Sequence, residues 1–138
     1  MLLFLAEREV YMFLGRVNNY TSVANQPIPF ATVLNTNDKI SNNLGVISLR
    51  KGGIWNVDAS ITVTGVVGDI VATLYADGVA TNATQTASLG AVTDFATIPL
   101  SEAVRTVYAS YPDVANISIA LGTAGLTVNG SLRVEYLQ

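Results

Sequence analysis

The chain contains no cysteine and no histidine. Without cysteine there is no disulfide framework and no thiolate ligand for a metal. Without histidine, the commonest general base and the commonest metal ligand are both missing. No Gly-x-Ser-x-Gly nucleophile motif or phosphate-binding glycine loop takes their place. These absences predict a non-enzymatic protein with no catalytic residue, no metal site and no cofactor.

Charge is also scarce, because 12% of the 138 residues are charged while 50% are hydrophobic. Ordinary globular domains have about 25% charged residues. The net charge of −3 is thinly spread and offers no basic stripe to a phosphate backbone, so nucleic-acid binding is not expected. A surface with so few ions predicts an obligate oligomer, since charge is depleted where chains bury surface together.

Residues 1–15 are apolar but are interrupted by Glu7, Arg8 and Glu9. The interruption fits neither the apolar region of a signal peptide nor a membrane span of about 20 residues. We therefore expect no membrane insertion. Residues 1–22 are interpreted as an N-terminal strand or docking segment, followed by one domain at residues 23–138.

Valine, threonine and isoleucine together supply 40 of the 138 residues. Their branched side chains suit a pleated surface and crowd the turn of a helix. Turn residues recur at short intervals, which predicts several short strands in a sandwich or barrel. Predicted turns include Asn18-Asn19, Gly52-Gly53, Asp77-Gly78 and Asn129-Gly130.

Strict alternation identifies the clearest strands. From Trp55 to Val63 every odd position is apolar and every even position is polar, which is the period of a half-buried strand. Apolar residues also alternate in residues 115–121, at the odd positions, and in residues 126–136, at the even positions from Leu126 to Tyr136. Asp77-Gly78 follows a further apolar run and predicts a two-residue hairpin. Pro99 requires an edge strand or a bulge, because it cannot donate a backbone hydrogen bond.

Some side chains allow two interpretations. The apolar face of the last strand is either monomer core or subunit interface, and we assign it to an oligomer interface made of Val128, Leu132, Val134 and Tyr136. Trp55 is interpreted as core rather than as a sugar-stacking platform. Tyr108 and Tyr111 flank a turn and are candidates for a recognition surface. Carboxylates at or near turns are expected to serve the backbone; these are Asp69, Asp77 and Asp94.

The order of these features resembles a known family. The segment Asn25-Gln26-Pro27-Ile28-Pro29-Phe30 comes first, followed by a Leu-x-x-Gly-Gly-Ile-aromatic-x-Val element at Leu49–Val57, and Leu132-Arg133-Val134-Glu135-Tyr136 ends the chain. This pattern resembles the tumour necrosis factor-like and complement globular-head jelly rolls, of the short bacterial or phage type, over residues 23–138. The resemblance implies an all-β antiparallel jelly-roll sandwich of about eight to ten strands that assembles as a homotrimer.

Many members of that family carry a collagen-like stalk, but this sequence has no Gly-x-y repeat. The departure favours a structural virion surface protein, either a phage head fibre or a capsid decoration, in contact with other virion proteins. The alternative function is an adhesion head that binds a carbohydrate or receptor, for example a host-surface glycan, on a phage or bacterial cell surface.

Overall fold

The computed structural model describes residues 10–106 and 115–137, and these residues form ten β-strands. The strands are β1 (Met12–Thr21), β2 (Ala31–Asn35), β3 (Ile40–Asn43), β4 (Val46–Leu49), β5 (Gly53–Thr64), β6 (Gly68–Ala76), β7 (Val79–Leu89), β8 (Phe95–Thr106), β9 (Ala115–Leu121) and β10 (Thr127–Tyr136). Within these ranges there is no helix with the length and apolarity that crossing a membrane requires.

The strands form two five-stranded sheets. The order is β2-β1-β10-β5-β8 in one, here called the front sheet, and β3-β4-β9-β6-β7 in the other, the back sheet. Every pair of neighbouring strands is antiparallel. The predicted all-β jelly-roll sandwich is therefore confirmed.

The core lies between the inward faces of the two sheets. The five apolar residues that alternate along β5 are all buried, and the polar residues between them face outward. Ile117 and Ile119 of β9 meet them from the back sheet as part of one cluster. Each fully buried valine or isoleucine stabilises the fold by about 1.5–3 kcal/mol. Because the alternating pattern buries many such side chains, it makes a large contribution to stability.

The predictions for turns and for Pro99 had different outcomes. The Asp77-Gly78 hairpin is confirmed, with φ of 53° and 80° between the paired residues Ala76 and Val79. Pro99 lies in β8, an edge strand of the front sheet, as its missing donor requires. The turns predicted at Asn18-Asn19 and Asn129-Gly130 are wrong, because the first pair forms a bulge inside β1 and the second pair lies within β10. Asn19 has φ of 51°, and the register with β10 shifts there.

The N-terminal part of the described chain is integral to the sandwich. Strand β1 pairs with β2 on one side and with β10 on the other. Its residue Phe13 is fully buried in the common core. Residues 12–21 therefore pack as one unit with the segment that follows residue 22.

One end of the sandwich is closed by an aromatic cluster of Tyr11, Trp55 and Tyr136, with ring centroids 5.0–6.1 Å apart. The Lys51 ammonium lies 5.3 Å from the centroid of Tyr11 and 5.1 Å from that of Tyr136. Such cation–π contacts contribute about 0.5–1 kcal/mol at accessible sites. The indole Nε1 of Trp55 donates to the carbonyl of Lys51 at 3.0 Å, which fixes the loop before β5.

Candidate functional site

The outward face of the front sheet contains a groove of about 450 Å³. It crosses all five strands, and its lining is mostly apolar. Its walls divide into two rims separated by β10. The β1–β2 rim is formed by Leu14, Arg16 and Val33, and the β5–β8 rim by Asp58, Ser60, Pro99 and Ser101.

The register of the strands explains the groove. One row across the sheet reads Leu14, Arg133, Asp58, Ser101, and the next row reads Arg16, Ser131, Ser60, Pro99. Most of these side chains are short, so the backbone of β10 and β5 forms a shallow floor. A floor of this kind allows another backbone or a bulky side chain to approach closely.

Charges of opposite sign occupy the two rims. Asp58 accepts hydrogen bonds from Ser101 Oγ and from Asn56 Nδ2, each at 2.7 Å. Arg133 lies directly across from Asp58 on β10, but its guanidinium donates to Glu135 Oε2 at 3.2 Å. Among the described residues this is the one ion pair. Neither Asp58 nor Arg16 has an ionic partner within residues 10–106 and 115–137.

Strand β2 is the edge of the front sheet beside the β1–β2 rim, and among the described residues no further strand pairs with it. All five residues of β2 are exposed, including Val33 at 58% and Leu34 at 43%. An edge strand presents unpaired backbone groups and is usually protected by charge, proline or a covering segment. Strand β2 has no charged residue and no proline, so its apolar side chains are available to a partner.

The outward face of the back sheet is different. Hydroxyl and amide side chains dominate it and bond to each other. For example, Ser48 Oγ donates to Asn116 Oδ1 at 2.6 Å, and Ser88 Oγ donates to Asp69 Oδ1, also at 2.6 Å. Thr84 and Thr73 lie opposite each other across β6 and β7. On this face the carboxylate Asp69 and most of the named hydroxyl and amide groups already have neighbouring polar partners.

The interface residues predicted from the sequence lie largely inside the single chain. Val128, Leu132 and Val134 are at most 2% exposed and belong to the monomer core. Side chains without exposed surface have nothing further to bury against a second copy, so the core alternative describes them. Tyr136 is half-buried in the aromatic cluster, and its hydroxyl donates to the carbonyl of Gly52 at 3.0 Å.

Two other sequence predictions have different outcomes. Trp55 is fully buried, as the core interpretation required. Tyr108 and Tyr111 lie outside the described residues, so their recognition role stays a prediction.

Of the three carboxylates expected to serve the backbone, Asp77 and Asp94 do so, whereas Asp69 accepts from the side chain of Ser88. Asp77 Oδ1 accepts from the Asn116 amide at 2.9 Å, and Asp94 Oδ2 accepts from the amides of Gly90 and Ala91 at 3.2 and 3.0 Å. These bonds order the loops in the way expected of turn aspartates. Within the part of the chain that the structure describes, no group of three or more potential metal ligands is found.

A second feature stands out at the hairpin between β3 and β4. Leu44 and Gly45 form its two-residue turn, with φ of 51° and 90°. Asn-Gly is the usual sequence for such a turn, whereas a leucine in the left-handed region is strained. Leu44 is nevertheless 78% exposed, and it borders an uncharged pocket of about 580 Å³ with Tyr20 and Val23. Sequence patterns did not identify this site.

Comparison with known proteins gives the fold class first. No protein-family model and no curated protein matches the sequence. Solved structures match over almost the whole chain, and they define the fold as the jelly roll of the tumour necrosis factor and complement globular-head type. The likeness proposed from the sequence is therefore confirmed at the level of the fold.

Three solved structures illustrate the match. The globular domain of zebrafish complement 1qA protein has a TM-score of 0.73 at 11% identity, over 94% of this chain and 98% of that one. Murine APRIL has a TM-score of 0.68 at 9% identity, over 91% and 99%. The vertex protein P5 of PRD1 has a TM-score of 0.62 at 15% identity, over 96% and 100%.

Proposed function

We propose that this chain is a non-enzymatic structural head that assembles as a homotrimer on the surface of a phage virion, as a head fibre or capsid decoration. Two kinds of support combine. The fold is shared with a protein named for its place at a virion vertex. The front face and strand β2 present apolar surface that the described part of the chain leaves exposed.

The exposed apolar residues on the front face of the described chain are the observation that best supports the trimer. Exposed apolar side chains that lie together often mark interaction sites on soluble proteins. Here Leu14, Val33 and Leu34 lie together at one side of a mostly apolar groove. The low total charge of the sequence is consistent with the same conclusion. A closed ring of three chains covers this surface on every copy.

The virion role is supported by the likeness to the PRD1 vertex protein, and it needs its own test. Antibodies against the purified protein should label intact virions prepared from the source of the gene, at fixed positions on the shell. Mass spectrometry of the same particles should recover the chain in a constant ratio to the main capsid protein. Particles that contain no copy of the chain would contradict this role.

The second candidate function is an adhesion head that binds a receptor, and Leu44 is the observation that favours it. Strain and exposure both oppose a leucine at this turn, and strained positions concentrate at functional sites. The bordering pocket is uncharged and is lined largely by Tyr20, Val23, Pro27, Pro29 and Val46. Replacing Leu44 with asparagine should abolish adsorption of labelled protein to host cells if this function holds. Unchanged adsorption would exclude a role for this hairpin.

A further inference from the structure

The groove on the front face carries charges that have no ionic partner among residues 10–106 and 115–137. Arg16 is exposed on the β1–β2 rim, and Asp58 is partly buried on the β5–β8 rim. The cation directly opposite Asp58, Arg133, is engaged by Glu135 at 3.2 Å. A carboxylate that is to be covered by a partner needs an opposite charge, because an unpaired buried ion is costly.

Symmetry decides which patches meet. A ring of three identical chains is heterologous, so two different patches of each chain form every interface. The two rims of the groove are different patches with opposite charge. Strand β2 beside Arg16 exposes apolar side chains, while Ser60 and Pro99 on the rim beside Asp58 are short and leave room for them.

We infer that the partner of this face is a second copy of the same chain, and that Arg16 of one copy pairs with Asp58 of the next across the groove. The inference rests on the proposed homotrimer and deepens it by naming the contact. Each interface then covers one guanidinium and one carboxylate, and the ring leaves neither charge without a partner.

Charge exchange tests the pairing. Asp58→Arg places two guanidinium groups at each interface and should raise the concentration at which half the chains assemble by about a hundredfold or more, since like charges in contact cost several kcal/mol. The double variant Arg16→Asp with Asp58→Arg restores opposite charges and should restore assembly. Sedimentation equilibrium measures both, and circular dichroism confirms that each variant is folded.

The back sheet offers a matched control. Asp69 accepts a hydrogen bond from the serine directly across from it, as Asp58 does. Asp69→Arg should leave the assembled fraction unchanged. Should a charge reversal prevent folding, Asp58→Asn keeps the shape of the side chain and should still weaken assembly by about tenfold, whereas Asp69→Asn should not.

Mixing the single variants reports the symmetry of the ring. In a mixture of Asp58→Arg with Arg16→Asp, an even-membered ring can alternate the two and satisfy every contact. A three-membered ring always contains at least one contact between like variants. The mixture should therefore form at most weak trimers, while the double variant forms full ones. Complete recovery in the mixture would contradict a threefold arrangement of this pair.

The outcomes distinguish the pairing of Arg16 with Asp58 from the homotrimer itself. If the wild type assembles and Asp58→Arg assembles equally well, the pairing is wrong while the homotrimer stands. If folded Asp58→Arg is monomeric and the folded double variant stays monomeric, the pairing is also wrong. If the wild type itself is monomeric, the proposed homotrimer fails together with the pairing.

Discussion

Asp58 and Asp69 occupy comparable positions on the two outward faces of the sandwich. Each accepts a hydrogen bond from the serine directly opposite, at 2.7 Å for Asp58 and 2.6 Å for Asp69. Their surroundings differ. Asp58 borders a mostly apolar groove that also holds Arg16, which has no ionic partner in the described part of the chain, whereas Asp69 lies among hydroxyl and amide groups. The difference teaches that the same type of residue lies beside apolar surface on the front face and among polar groups on the back face. The front face is the one that a partner is expected to cover.

The contrast between Asp58 and Asp69 requires the front face to be a surface and not part of the core. The neighbouring residues Ile61 and Ser60 test this, because they lie on opposite faces of β5. Ile61 is fully buried, so Ile61→Ala should lower the free energy of unfolding by about 2–5 kcal/mol through lost burial and a cavity. Chemical denaturation of the variant measures this loss. A change below 1 kcal/mol would mean that the inward face of β5 is not packed as described.

Ser60 points outward into the groove, so bulk added there should affect assembly instead. Ser60→Trp should weaken assembly at least about tenfold, because overpacking an interface costs about 1–3 kcal/mol. Its monomer stability should change by no more than about 0.5 kcal/mol. Thr73→Trp on the back face is the control and should assemble normally by light scattering. Equal effects of the two tryptophans would remove the distinction between the faces.

The smallest expected effect concerns the hairpin turns of the back sheet. Leu44→Asn should raise the free energy of unfolding by about 1 kcal/mol, because asparagine tolerates the left-handed backbone that strains leucine. Asp77→Leu, at the equivalent position of the other hairpin, should have the opposite effect and also lose the bond to the Asn116 amide. Thermal melting compares both variants with the wild type. Destabilisation by Leu44→Asn would show that the leucine contributes packing that the turn needs.

Much of the fold could be predicted from the sequence, because alternation acts locally. Strands β5 and β10 follow from period two, the Asp77-Gly78 hairpin from turn chemistry, and the edge position of Pro99 from its missing donor. Strand β2 was not predicted, since it is exposed on both sides and its sequence does not alternate. The bulge at Asn19 resembles a turn locally and is specified by pairing with β10, more than 100 residues away.

The candidate site was harder to predict for a related reason. Alternation shows that Val128, Leu132 and Val134 share an apolar face, but it cannot say whether the covering partner is another sheet or another chain. In the sandwich the back sheet covers them. The groove combines residues from five strands, and only the register brings Arg16, Ser131 and Ser60 into one row. The sequence did contain one indication of the site. On the polar faces of β5 and β10, the charged residues Asp58 and Arg133 lie among small side chains.

The mass of the wild-type protein in solution tests the central claim most directly. Sedimentation equilibrium at micromolar concentration should give three times the chain mass of 14.6 kDa, with no monomer at the lower loading concentrations. A single species of 14.6 kDa across the same range would contradict the account, because the front face would then be stable in water without a partner.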